Sequence, residues 1–120
     1  MGLLEKDEQK NFVAYCELHN IVCVHIPNGF YMGKMKNRFG YINSLKAQGY
    51  KNGFPDLIVF VKNKTHNALF LEFKKAKGGI ISPAQKEWQE WLNNNGYCAR
   101  VAKGCENAIE ILNEYLKGNF

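Results

Sequence analysis

The chain has 120 residues, 46% of them apolar and 13% aromatic, with a formal net charge of +5. That composition excludes a disordered polyelectrolyte, and no apolar run approaches the ~20 residues of a membrane span. A chain of this size buries roughly 60–70% of its unfolded surface, so one domain spanning 1–120 with its own core is expected.

Residues 4–19 carry Phe12, Val13 and Cys16 at helical spacing, with Leu4 at one end, and predict a first helix. The start, "MGLLEKDEQKNF", turns charged after four residues and does not read as a secretory signal. Ile21–Ile26 is β-branched and reads as a strand, closed by the turn residues Pro27-Asn28-Gly29. Residues 30–52 are irregular and glycine-punctuated, with a short helix expected near Ile42–Gln48.

Charge is distributed unevenly. From Leu18 to Pro55 there is no Asp or Glu, while Lys34, Lys36, Arg38, Lys46 and Lys51 fall in that stretch, interleaved with Tyr31, Phe39, Tyr41 and Tyr50. A basic, aromatic-bearing segment attracts a polyanion, of which nucleic acid is the commonest. A solvated loop is the equal alternative on composition alone. The tyrosines could stack on unpaired bases or pack beneath the loop.

Leu57–Val61 and Ala68–Lys74 read as two strands around the loop "KNKTHN". Pairing about Lys64/Thr65 sets Asp56 opposite Glu72, within a residue. Alternation puts Phe70, Glu72 and Lys74 on one face, with Glu72 and Lys74 roughly 6.5–7 Å apart. Asp56, Glu72 and Lys74 thus converge at one end of the hairpin.

Ser82-Pro83-Ala84-Gln85 starts a helix: Ser82 suits the N-cap, Pro83 the first helical position, and Gln85 completes a capping box. Its expected buried stripe is Ala84, Trp88, Trp91 and Leu92. Tyr97–Lys103 reads as a fourth strand and Glu106–Leu116 as a last helix. The order α-β-β-β-α-β-α, with an antiparallel hairpin and a helical crossover, predicts an α/β fold with a mixed sheet flanked by helices.

Cys16, Cys23, Cys98 and Cys105 form no CxxC pair, and with three scattered histidines they give no zinc spacing. Free thiols in a reducing compartment are the expectation. Two adjacent carboxylates repel unless a cation sits between them, and oxygen ligands select Mg2+ or Mn2+. A lysine beside such a pair suits a phosphate, whose developing charge it stabilises. A solvent-facing Glu–Lys pair is the bland alternative.

Pro55-Asp56 followed by Glu72-Phe73-Lys74 resembles the PD-(D/E)xK nuclease motif. "IPNG" at Ile26–Gly29, "LKAQGYKNGFPDLIVF" at Leu45–Phe60, "LEFKKAKGGIISPAQKEWQEWL" at Leu71–Leu92 and "NGYCARV" at Asn95–Val101 resemble the virus-type replication-repair nuclease (VRR-NUC) family over nearly the whole chain. The resemblance implies a restriction-endonuclease-like αβββαβ core, here with an added C-terminal helix. It implies a divalent metal, Mg2+ or Mn2+, and cleavage of DNA to 5′-phosphate and 3′-hydroxyl ends. Stand-alone phage-type members look like homodimers acting on branched DNA such as four-way junctions, and a cytoplasmic location is the expectation for this chain. By position, Asp56 and Glu72 match metal ligands and the Phe73 carbonyl a further one. Lys74 matches the catalytic lysine, and Gln85 a glutamine near the active site.

The family also places an acidic residue of the first helix near the metal. Glu5, Asp7 and Glu8 compete. At 100° per residue Glu5 lies nearest the apolar stripe, Glu8 at its edge, and Asp7 points away. Lys34, Lys36, Arg38, Lys46 and Lys51 are the expected DNA contacts, holding phosphates without reading sequence. A sequence-specific restriction-type endonuclease and a non-catalytic nucleic-acid-binding module are the rival readings on the same fold.

Overall fold

A computed structural model describes residues 4–27 and 38–120. Its elements run α1 (Glu5–Leu18), β1 (Val22–His25), α2 (Arg38–Ala47), β2 (Leu57–Phe60), β3 (Leu69–Lys74), α3 (Pro83–Asn94), β4 (Cys98–Lys103) and α4 (Cys105–Leu116). The four strands lie in the order β1-β2-β3-β4. β1 and β3 pair antiparallel with β2, and β4 joins β3 in parallel through the α3 crossover. The α/β class and the mixed sheet match the sequence reading. The helix expected near Ile42–Gln48 starts earlier, at Arg38, and Lys34 and Lys36 lie outside the described residues.

Alternation along the strands divides the sheet into two unlike faces. On one, Leu57, Val59, Leu69, Leu71 and Phe73 are wholly buried against Phe12 and Cys16 of α1 and Ala108, Leu112 and Tyr115 of α4. Each large side chain removed from water there contributes about 1.5–3 kcal/mol. The Phe12 and Phe73 rings meet at 5.6 Å. Tyr115 keeps its hydroxyl satisfied by donating to the Val61 carbonyl at 2.8 Å.

The other face carries Phe70, Glu72 and Lys74, and α3 covers it only in part. Phe54 sits edge-on to Phe70 at 6.1 Å and to Trp88 at 5.1 Å. Leu92 and Trp88 face inward, but Trp91, expected in the buried stripe, is half exposed. It stacks on Tyr97 at the rim because α3 packs over β4 and the sheet ends there. Leu4 is likewise exposed, ahead of the first turn of α1.

α3 begins as its sequence predicts. Ser82 Oγ accepts from Gln85 N at 3.2 Å and Gln85 Oε1 accepts from Ser82 N at 2.9 Å, with Pro83 at the first helical position. All four cysteines are free thiols: Cys16 and Cys98 are buried, Cys23 and Cys105 half-buried. Among the described residues no helix is long and apolar enough to cross a membrane.

Candidate active site

The β2–β3 register pairs Leu57 with Leu71, so the next step sets Asp56 against Glu72, as the hairpin centre predicted. Four consecutive residues fix Asp56 from behind. Asn52 accepts from Trp88 Nε1 at 3.1 Å. Gly53, at φ +82, lies so near α3 that an added Cβ would stand 2.7 Å from the Ala84 carbonyl carbon. Phe54 inserts between Phe70 and Trp88, and Pro55 is fully buried. The PD turn is therefore seated on the same helix start that holds Gln85.

In front, Asp56 Oδ2 accepts from the Phe73 backbone N–H at 2.7 Å. In an extended strand the N–H and C=O of one residue point the same way, so the Phe73 carbonyl also faces the Asp56 side. The next residue obeys the alternation: the Lys74 carbonyl accepts from Gly104 N on the β4 side, at 3.0 Å. Phe73 thus gives its ring to the core and its main chain to the site.

Glu72 is 2% exposed and Lys74 9% exposed. Burial, first, pushes the Glu72 carboxyl up to about 10; its hydrogen bond with Asp56 and that residue's charge push the same way, and Lys74 offsets part of the effect. The Glu72 carboxyl therefore favours its protonated form beside Asp56. Two carboxyl groups this close favour neutralisation of one of them, by a proton or by a cation. Oxygen donors in this arrangement fit a hard divalent ion, which would take the place of the proton.

Glu5 of α1 is part-buried, and burial raises its pKa; Lys74 lowers it and Asp56 raises it, so its carboxyl feels both groups of the site. It is not gathered with them into one set: among the described residues no three His, Cys, Asp or Glu side chains stand close enough to hold a metal together. Glu8 turns elsewhere. Its Oε2 accepts from Cys105 N at 3.1 Å, capping the α4 N-terminus beside Gly104 at φ +88. Nothing in the linear sequence marked that long-range cap, except the glycine before a helix.

Gln85 spends its Oε1 on the capping box described above. Arg38, Lys46 and Lys51 are all exposed, on α2 and the turn after it, and Phe39 and Tyr41 beside them are exposed too. Packing beneath the loop is therefore not the role of those two rings.

One contact was invisible to sequence reasoning. His25 Nδ1 lies 3.0 Å from the Asp56 carbonyl oxygen and 3.0 Å from Gln9 Nε2. One ring nitrogen either donates to the carbonyl or accepts from the amide, so the tautomer decides which bond forms. Ile26 N also donates to the Asp56 carbonyl, at 2.8 Å. The end of β1 is thereby tied to the main chain of Asp56.

Comparison with known proteins follows the same lines. Residues 5–106 match the VRR-NUC domain. A solved structure described as a VRR_NUC domain protein superposes with a TM-score of 0.79 at 30% identity, covering 98% of this chain and 91% of that one. A second, described as a VRR_NUC domain, superposes with a TM-score of 0.63 at 19% identity, over 92% of this chain and 96% of its own. No curated protein matches the sequence.

Proposed function

The chain belongs to the VRR-NUC domain family, and from that premise we propose that it is a metal-dependent endonuclease hydrolysing DNA phosphodiester bonds, with branched DNA such as four-way junctions preferred. The observation that carries this reading is the buried Glu72 carboxyl set against half-buried Asp56, with buried Lys74 on the same strand.

Asp56, Glu72 and the Phe73 carbonyl would hold Mg2+ or Mn2+, with Glu5 close by. The ion supplies Lewis-acid polarisation of the phosphate and acidifies water at the site. Every other part of the work falls to the chain. The Phe73 N–H and the seated PD turn fix the Asp56 carboxylate. Burial of Glu72 favours its protonated form, and a bound cation would favour its release of that proton. Lys74, two residues along the same face, presents an ammonium to the phosphate and stabilises charge developing on its oxygens in the transition state. The flexible stem of Lys74 also lets it orient the attacking water in line with the leaving oxygen.

One such site cuts one strand, so paired cuts at a junction need two copies, and a homodimer is part of the proposal. Arg38, Lys46 and Lys51 would contact phosphates, as would Lys34 and Lys36. Gln85 would sit at the margin of the site, next to the PD turn.

The test uses labelled duplex, flap, single-stranded and four-way-junction DNA with Mg2+ or Mn2+, beside EDTA. Lys74→Ala and Asp56→Ala run in parallel. Metal-dependent cutting, best on the junction and lost in both variants, is expected. Binding without cutting by the wild type, unchanged in the variants, overturns the nuclease reading and leaves a DNA-binding module.

A further inference from the structure

α1 overhangs the edge strand β1, and a groove of about 460 Å³ opens between them. Lys6, Gln9, Lys10, Val13 and Glu17 line it from the helix and His25 from the strand. The helical residues recur at three- and four-residue spacing, so they form one stripe, distinct from the Phe12–Cys16 stripe that faces the core.

The two ends of this groove differ. Lys6 and Lys10 lie one turn apart at the end next to Glu5, and both are exposed. Glu17 lies at the other end, about 16 Å along the axis from Lys6. His25 joins the cationic end to the site directly, through the Asp56 carbonyl. The site is lined by the carboxyl groups of Asp56, Glu72 and Glu5, with Lys74 as the cation it presents to a phosphate. Cations beside it are what an anionic polymer needs to come close.

We propose that the Lys6–Lys10 end of the α1–β1 groove binds successive phosphates of the DNA strand that passes through the Asp56–Glu72–Lys74 site. The proposal rests on the nuclease reading and adds to it a route for the strand, along the sheet edge rather than only over α2. Glu17 limits the contact to the half of the groove nearest the site. The Lys6–Lys10 end offers a strand two exposed ammonium groups, which hold phosphates without reading bases.

The experiment measures binding of the full chain to a fluorescent four-way junction in EDTA, across a range of salt concentrations. Lys6→Gln/Lys10→Gln is compared with Lys62→Gln/Lys64→Gln, which removes the same charge from the β2–β3 loop at the opposite end of the sheet. Each phosphate contact contributes about 0.7–0.9 to the slope of log affinity against log salt. The groove pair is expected to lower that slope by about 1.4–1.8 and affinity roughly tenfold. The loop pair should leave the slope at the wild-type value, and both should melt at the wild-type temperature. Equal slopes for the groove pair and the wild type, or equal losses in both pairs, overturn the groove proposal. Failure of the nuclease reading shows separately, as a wild type that does not cut.

Discussion

Asp56 Oδ2 and the Phe73 backbone N–H are joined at 2.7 Å, so the carboxylate at the head of β2 is held by the strand that carries Glu72 and Lys74. A side chain of one strand there replaces the ladder bond that β2 begins too late to make. The charge and the fold consequently depend on different properties of one residue.

That separation is testable. Asp56→Asn keeps an oxygen for the Phe73 N–H, whereas Asp56→Ala leaves that donor without its partner. Asp56→Ala is expected to be less stable than Asp56→Asn by about 1–3 kcal/mol in urea unfolding. Cleavage should be lost in both, because neither carries the negative charge.

Glu72 makes metal-free stability depend on pH. Its folded pKa is raised, to about 10 against 4.5 for the free side chain. Between those values the folded chain holds a proton that the unfolded chain has released. Stability therefore falls as pH rises through neutrality, by at most about 1.4 kcal/mol per unit. Urea midpoints in EDTA at pH 6 and pH 8.5 should show the fall, and Glu72→Gln should flatten it.

Cation binding should expel the Glu72 proton. Titrating Mn2+ or Mg2+ into the chain near pH 7, by calorimetry in two buffers of different ionisation enthalpy, is expected to show release of about one proton. The melting temperature should rise with the ion. Both effects should vanish in Glu72→Gln.

Glu5 and Glu8, one turn apart, should part company. Glu8→Ala removes the cap of α4 and is expected to cost about 0.5–2 kcal/mol while cutting continues. Glu5→Gln should leave the melting temperature within a few degrees of wild type but lower the cleavage rate. Equal behaviour of the two variants in both assays would show that the helix cap and the site are not separate.

Gly53 sets the seat of the PD turn. A methyl group there meets the backbone of Ala84 and Gln85 and cannot relax, and φ +82 strains any side chain. Gly53→Ala is expected to lose about 1–3 kcal/mol of stability and to lower cleavage by moving Asp56. Gly49→Ala, with open space around it and only the φ penalty, should lose less and keep its activity.

Much of this was legible in the sequence because the decisive pairing is local. A loop centred near Lys64 fixes Asp56 opposite Glu72 by counting alone. Ser82, Pro83 and Gln85 announce their helix for the same reason, since a capping box is read within four residues. What escaped was carried by distant partners. Glu8 meets Cys105 across nearly the whole chain, and His25 reaches Asp56 only once β1 has found its place at the sheet edge. Trp91 was misplaced because helical periodicity tells which way a side chain faces, not whether the sheet extends far enough to meet it.

The hairpin that brings Asp56, Glu72 and Lys74 together closes over a short stretch of chain, whereas burying them takes α1, α3 and β4 from both ends. Local contacts form before distant ones, because short loops close at less entropic cost. The nascent hairpin thus holds both carboxylates wet, and sealing the sheet over Glu72 favours its uptake of a proton or a cation. Maturation of this chain is for that reason coupled to counter-ion capture, and its refolding should be faster in mild acid or with divalent ions present.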